Sequence, residues 1–197
     1  MASDCPSLSA ARYNGRVLEE RDPQEPVLPA RPGSLSKGWV LKALREAGNS
    51  LLWELYGVDE EELRWRAAEG EWSLKEIAAH LRDAEELALA QLNAFVSGSC
   101  SPLPAWDVDL LPQERDYQRE EIAGLLVDFR SMRRETTYLL WGLMEADWGR
   151  VAEHPYRGSV TLEEVAREMA QHDLEHLWQV RQLKEKLRQA VSAREED

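Results

Sequence analysis

Two histidines in the segment QHDLEHLWQ, His172 and His176, stand four residues apart with no proline or glycine near them, in a chain that holds only four histidines. Imidazoles at i and i+4 share one helix face, about 6 Å apart along the axis, and their rings can converge on one point. Burying them costs free energy unless each ring nitrogen finds a partner, and a divalent metal ion is one such partner. A satisfied core pair or a surface decoration would show the same spacing, because two ligands from one helix seldom hold an ion and a third must come from elsewhere. His80 is placed to be that third group, on or beside the apolar stripe of a different predicted helix. His154 precedes Pro155 in a predicted loop and is expected to take no part. Carboxylates that could fix the ring tautomers are Asp83, one turn beyond His80, together with Asp173 and Glu168; the last two read more readily as a solvated helix face.

The elements that must position these groups are helices. Trp39/Val40, Ala43/Leu44, Ala47, Leu51/Leu52 and Leu55 form one stripe of a first helix starting at Leu35, with Gly57 as its cap. A short acidic turn leads to Ser73, and Glu76 three residues later completes a capping box, so the second helix is expected over 74–96 with Gly98 beyond its end. The proline-rich stretch SGSCSPLPAWDVDLLPQERDY is a long loop, long enough to cross the end of a bundle. A third helix is expected over 118–146. A second capping box, Thr161 with Glu164, opens a fourth over 162–189, whose inward stripe includes His172, His176 and Gln179/Val180. No strand pattern and no solenoid repeat is apparent. The expected fold is all-α, a four-helix bundle over residues 35–190, with a long loop between helices two and three, a flexible proline-containing N-terminal extension over 1–34 and a charged C-terminal tail over 191–197.

Composition narrows the partners. The net charge of −13, with 24 basic against 37 acidic residues and no basic run, argues against a nucleic-acid surface. No stretch approaches the ~20 apolar residues of a membrane span, and the N-terminus lacks the basic and apolar regions of a signal peptide. Cys5 and Cys100 show neither disulfide-framework nor finger spacing. A cytoplasmic protein is expected. Among the eight tryptophans, Trp141 and Trp178 fall near the predicted core, as packing or as the lining of an apolar pocket.

The stretch EWSLKEIAAHLRDAEE, with Trp72, His80 and Asp83, followed by HPYRGSVTLEEVAREMAQHDLEHLWQ, resembles the DinB/YfiT-like superfamily of metalloenzymes over about residues 38–187. The resemblance implies a bundle in which His80, His172 and His176 bind a divalent ion, zinc or nickel first, iron or manganese after them. It also gives Asp83 weight as the catalytic residue. It implies a small-molecule substrate, and relatives that are transferases or an isomerase using a low-molecular-weight thiol such as bacillithiol or mycothiol. A further subgroup, the ergothioneine-forming sulfoxide synthases, carries an HxxxHxE run, and Trp178 stands here in place of that glutamate. The expectation is therefore a metal-dependent thiol transferase, with a hydrolase using bound hydroxide or a non-catalytic metal- or ligand-binding bundle as alternatives; a homodimer is left open.

Overall fold

The computed structural model describes residues 37–98, 102–106, 111 and 115–195. Residues 1–34, Cys5 and Cys100 lie outside the described residues. The elements run α1 (Lys37–Leu55), α2 (Glu60–Arg64), α3 (Leu74–Ser97), α4 (Ile122–Gly142), β1 (Val151–His154), β2 (Gly158–Thr161) and α5 (Leu162–Glu195), with single 3-10 turns before and after α4.

The four long helices α1, α3, α4 and α5 form the bundle. Contacts are most extensive between α3 and α4 and between α1 and α5, followed by α3 with α5 and α1 with α4. Around the square the order is therefore α1, α5, α3, α4, and the consecutive long helices α1 and α3 face one another across a diagonal. The buried stripe of α1 is Val40, Leu44, Ala47, Gly48, Leu51 and Leu55, close to the one its periodicity predicts. The first turns of α3 are buried nearly all round, from Leu74 to Leu81, because α2 and the loop before α4 close the sides that the bundle leaves open. Two apolar clusters fill the interior, one around Leu44, Leu92, Leu140 and Ala166, the other around Leu51, Ile77, Phe129 and Val180. No helix among the described residues is long and apolar enough to cross a membrane.

Both predicted capping boxes are formed. The Ser73 amide donates to Glu76 Oε2 at 2.8 Å and the Glu76 amide returns to Ser73 Oγ at 3.3 Å. At α5 the Thr161 amide donates to Glu164 Oε2 at 2.8 Å and the Glu164 amide to Thr161 Oγ1 at 3.2 Å. Gly98 ends α3 in the left-handed conformation, its amide bonded to the Ala94 carbonyl at 2.9 Å.

Several boundaries differ from expectation. Residues 145–149 form a 3-10 turn and α4 stops at Gly142, so the third helix is shorter at both ends than the predicted 118–146. The fourth runs on to Glu195, through the charged segment after residue 190. The expectation of no strand is corrected by an antiparallel hairpin pairing Val151 with Thr161 and His154 with Gly158. Its strands have four residues each, too few for alternation to show, and its turn depends on Gly158, whose φ of 72° disfavours other residues. Thr161 is both the last residue of β2 and the cap of α5, so the hairpin fixes where the histidine-bearing helix begins.

Candidate metal centre

His80 projects from the buried half of α3 and is fully enclosed, while His172 and His176 line the edge of the buried stripe of α5 and are half-buried. The centre of that stripe is Met169, Asp173, Leu177 and Val180, which turns both imidazoles sideways toward α3. His80 Nε2 lies 2.9 Å from His172 Nε2, and His176 Nε2 lies 3.0 Å from the same atom. One ligand atom from each of the three residues falls within 4.8 Å of the others. The spacing of the sequence thus brings together the three expected histidines. His154 stands apart at the end of β1, its Nδ1 accepting from the Tyr156 amide at 3.3 Å.

His176 Nδ1 meets Gln179 Oε1 at 2.8 Å; the carbonyl oxygen can only accept, so the imidazole proton sits on Nδ1 and a neutral His176 turns the Nε2 lone pair inward. Burial, then the neighbouring His176, His80 and Arg133, hold the pKa of His172 well below the ordinary value, which favours its neutral form. A neutral His172 has at most one Nε2 proton, and that proton cannot serve two nitrogens lying in different directions at 2.9 and 3.0 Å. A cation at the common point would satisfy all three lone pairs, so the donor set fits a divalent metal.

Trp72 flanks the cluster. Its ring lies parallel to His176, with an interplanar angle of 4° and centroids 6.1 Å apart, and is tilted against His80 at 4.8 Å. Gln179 appears in sequence only as one more stripe position. Its signal there is a polar residue three after a histidine, on the same face.

The carboxylates are arranged differently from their sequence reading. Asp83 is fully buried; its Oδ2 accepts from the Tyr117 hydroxyl at 2.5 Å and from Arg115 Nη1 at 3.0 Å, while Arg82 Nε stands 2.5 Å from Oδ1. Tyr117 comes from the proline-rich connection, where nothing local marks it as a core residue. Burial and the bond to Asp83 raise the pKa of its phenol. Glu168 is solvated as expected, in an exposed pair with Arg157 at 2.5 Å. Asp173, expected on a solvated face, is buried instead, because it lies on the same stripe as Met169, Leu177 and Val180. There it pairs with Arg133 of α4.

Arg133 uses every guanidinium N–H. Nε and Nη2 donate to Glu85 of α3 at 3.0 and 2.6 Å, Nη2 also to Asp173 at 3.0 Å, and Nη1 to the Leu44 carbonyl of α1 at 3.0 Å and to Asp173 Oδ2. Thr136 completes the group with a 2.6 Å bond to Glu85 Oε1. One side chain therefore joins all four bundle helices next to His172. Burial pushes the Asp173 carboxyl up, to about 6, against the opposing pull of Arg133.

The model of the DinB superfamily matches residues 43–180. The uncharacterized protein YuaE of Bacillus subtilis (strain 168) is 27% identical over 153 residues, which cover 70% of this chain and 92% of YuaE. Among solved structures, YfiT from Bacillus subtilis, described as a probable metal-dependent hydrolase with an unusual four-helix bundle topology, superposes with a TM-score of 0.72 at 18% identity, covering 81% of this chain and 93% of YfiT. The mycothiol-dependent maleylpyruvate isomerase superposes with a TM-score of 0.61 at 14% identity, over 73% of this chain and 60% of that one.

Proposed function

The chain belongs to the DinB superfamily, and we propose that it is a metal-dependent enzyme whose ion is held by His80, His172 and His176 and whose reaction is transfer to or from a low-molecular-weight thiol. The observation that carries this reading is the convergence of three Nε2 atoms from two helices on one point. Zinc or nickel suits three imidazoles best, with iron or manganese next. An ion held by three neutral ligands keeps its full charge and leaves a position open, which makes a thiol or a water bound there acidic near neutral pH.

The chain's own residues supply the rest. Gln179 holds His176 in the tautomer that presents Nε2. The fixed charge of Arg133 helps keep His172 neutral and so available as a ligand. Of the acidic candidates, Asp173 is committed to Arg133, and Asp83 is bound to Tyr117 and Arg115. With both carboxylates occupied, a nucleophile that ionises on the ion without a protein base is favoured; a bound thiol meets this more fully than bound water, because it is deprotonated outright while the water ionises only near neutral pH. Asp83 takes the supporting part, one turn from His80 on α3, fixing Tyr117 and the connection that packs against that helix. A hydrolase is the second reading, favoured by the description of YfiT and by the same three-histidine geometry.

Metal analysis of the purified chain tests the site. Substituting His80, His172 or His176 by Ala should lower metal content steeply, whereas His154→Ala should leave it unchanged; full metal content in the His80 variant would remove α3 from the site. Cobalt(II) reloading separates the reactions. A cofactor thiol should add an intense sulfur-to-cobalt charge-transfer band in the transferase, while a spectrum that titrates with pH and for which thiols act only as inhibitors marks the hydrolase. A spectrum indifferent to both would leave a non-catalytic bundle.

A further inference from the structure

Trp72 is the residue just before the cap of α3, and its backbone neighbours are fixed on several sides. The capping box ties Ser73 to Glu76, the Gln118 side-chain amide donates to Ser73 Oγ at 2.8 Å, and Arg66 Nε donates to Glu76 Oε2 at 3.0 Å. Ser73 itself is fully enclosed. From that fixed backbone the indole points at the histidines.

It meets rings on two helices. His176 of α5 lies parallel to it and His80 of α3 lies tilted against it, at separations within the range where aromatic faces attract. An imidazole needs two constraints before its ligand lone pair has a fixed direction: one on which nitrogen carries the proton, one on the plane of the ring. For His176 the bond to Gln179 supplies the first, and the parallel face of Trp72 supplies the second.

We infer that Trp72 is a positioning residue of the three-histidine centre, whose indole holds the His176 and His80 rings at the mutual angle that brings their Nε2 atoms to His172. This inference rests on the metal reading and goes beyond it, since it concerns how the ligands are preorganised. The entry to α3, the capping box and Arg66 thereby act on the centre through the indole, and the site is assembled before an ion arrives.

Cobalt(II) titration of the full chain, followed by visible absorption and by tryptophan emission, tests this. In the unaltered chain cobalt should quench an indole that the Trp72→Phe variant lacks. Trp72→Ala should bind cobalt more weakly, on the order of 10-fold, with altered d–d bands. Trp72→Phe keeps a flat face and should recover most of the affinity; Trp72→Leu fills the space without one and should resemble Trp72→Ala. If the unaltered chain takes up no cobalt, the metal reading itself fails and this inference with it. If Trp72→Ala and Trp72→Leu bind cobalt as tightly as the unaltered chain with the same bands, the positioning role is overturned and the metal reading stands. Loss of helical circular dichroism in metal-free Trp72→Leu would also overturn it, because Trp72 would then be holding the fold rather than the rings.

Discussion

A fully bonded arginine at the centre of a bundle raises the question of what it would cost to lose. Arg133 neutralises part of the charge of Glu85 and Asp173, and neither carboxylate has water to fall back on. Its own charge is retained, because those two partners outweigh the burial that opposes it. Replacing a buried pair with apolar groups of similar volume is often neutral, but removing one partner strands the other. Arg133→Met should therefore lower the unfolding free energy by about 3–5 kcal/mol, measured by urea denaturation, because two buried carboxylates remain. The clasp also explains Gly48. A Cβ there would stand 3.0 Å from Arg133 Nη1, an atom already held by Leu44 and Asp173, and so unable to move aside. Gly48→Ala should cost roughly 1 kcal/mol or more despite the better helix propensity of alanine, since an overpacked core loses about 1–3 kcal/mol. Gly124 of α4 has open space around its α-carbon, and Gly124→Ala should instead gain up to about 1 kcal/mol. Equal effects at the two glycines would remove the steric argument.

Helix starts were the most legible elements, because Ser73/Glu76 and Thr161/Glu164 announce them with a local bond that needs no tertiary context. The three histidines were legible for a related reason: their spacing and stripe positions place them before any packing is known. Arg133, Glu85 and Asp173 were not. Each lies on the buried stripe of its own helix, yet a single charge on a stripe reads as an interruption until its partners on the other helices are seen. Trp141 shows the opposite error: expected near the core, it is 71% exposed, because α4 turns Leu140 inward in its place. Tyr117 and the hairpin were hidden by short length and irregular surroundings, where periodicity has nothing to act on. The capping box of α3 carries its own pH signature. Burial tends to raise the Glu76 carboxyl, but the bonds from Arg66 and Ser73 outweigh it and hold its pKa below the ordinary value. Folding therefore gains from the charged form above the unfolded pKa near 4.5, and loses that gain as pH falls through the lower folded value. Glu76→Gln should accordingly cost about 1 kcal/mol at pH 7, with the gap to the unaltered chain closing in acid. A gap independent of pH would mean that the glutamate acts by shape rather than charge.

For the molecule as a whole, the order of folding and metal binding follows from where the core sits. The apolar clusters on either side of the histidines draw on all four bundle helices and contain no ligand, and Arg133 joins the same helices without an ion. The centre uses three side chains from two helices, α3 and α5, which already pack against each other. This differs from small metal domains, where the ion supplies the folding energy outright. Chelation should therefore leave the helical circular dichroism intact. It should lower the thermal midpoint by an amount that depends on free metal, corresponding to about 2.7 kcal/mol when the ion is supplied at a hundred times its dissociation constant. In His172→Ala that dependence should vanish, while the midpoint of the metal-free chain changes little, because His172 stands at the edge of the buried stripe and not at its centre. If chelation instead unfolds the bundle, the ion is a structural element, and the argument for an open, reactive coordination position loses its support. Retention of the fold with loss of only the metal-dependent increment is what a preassembled site requires.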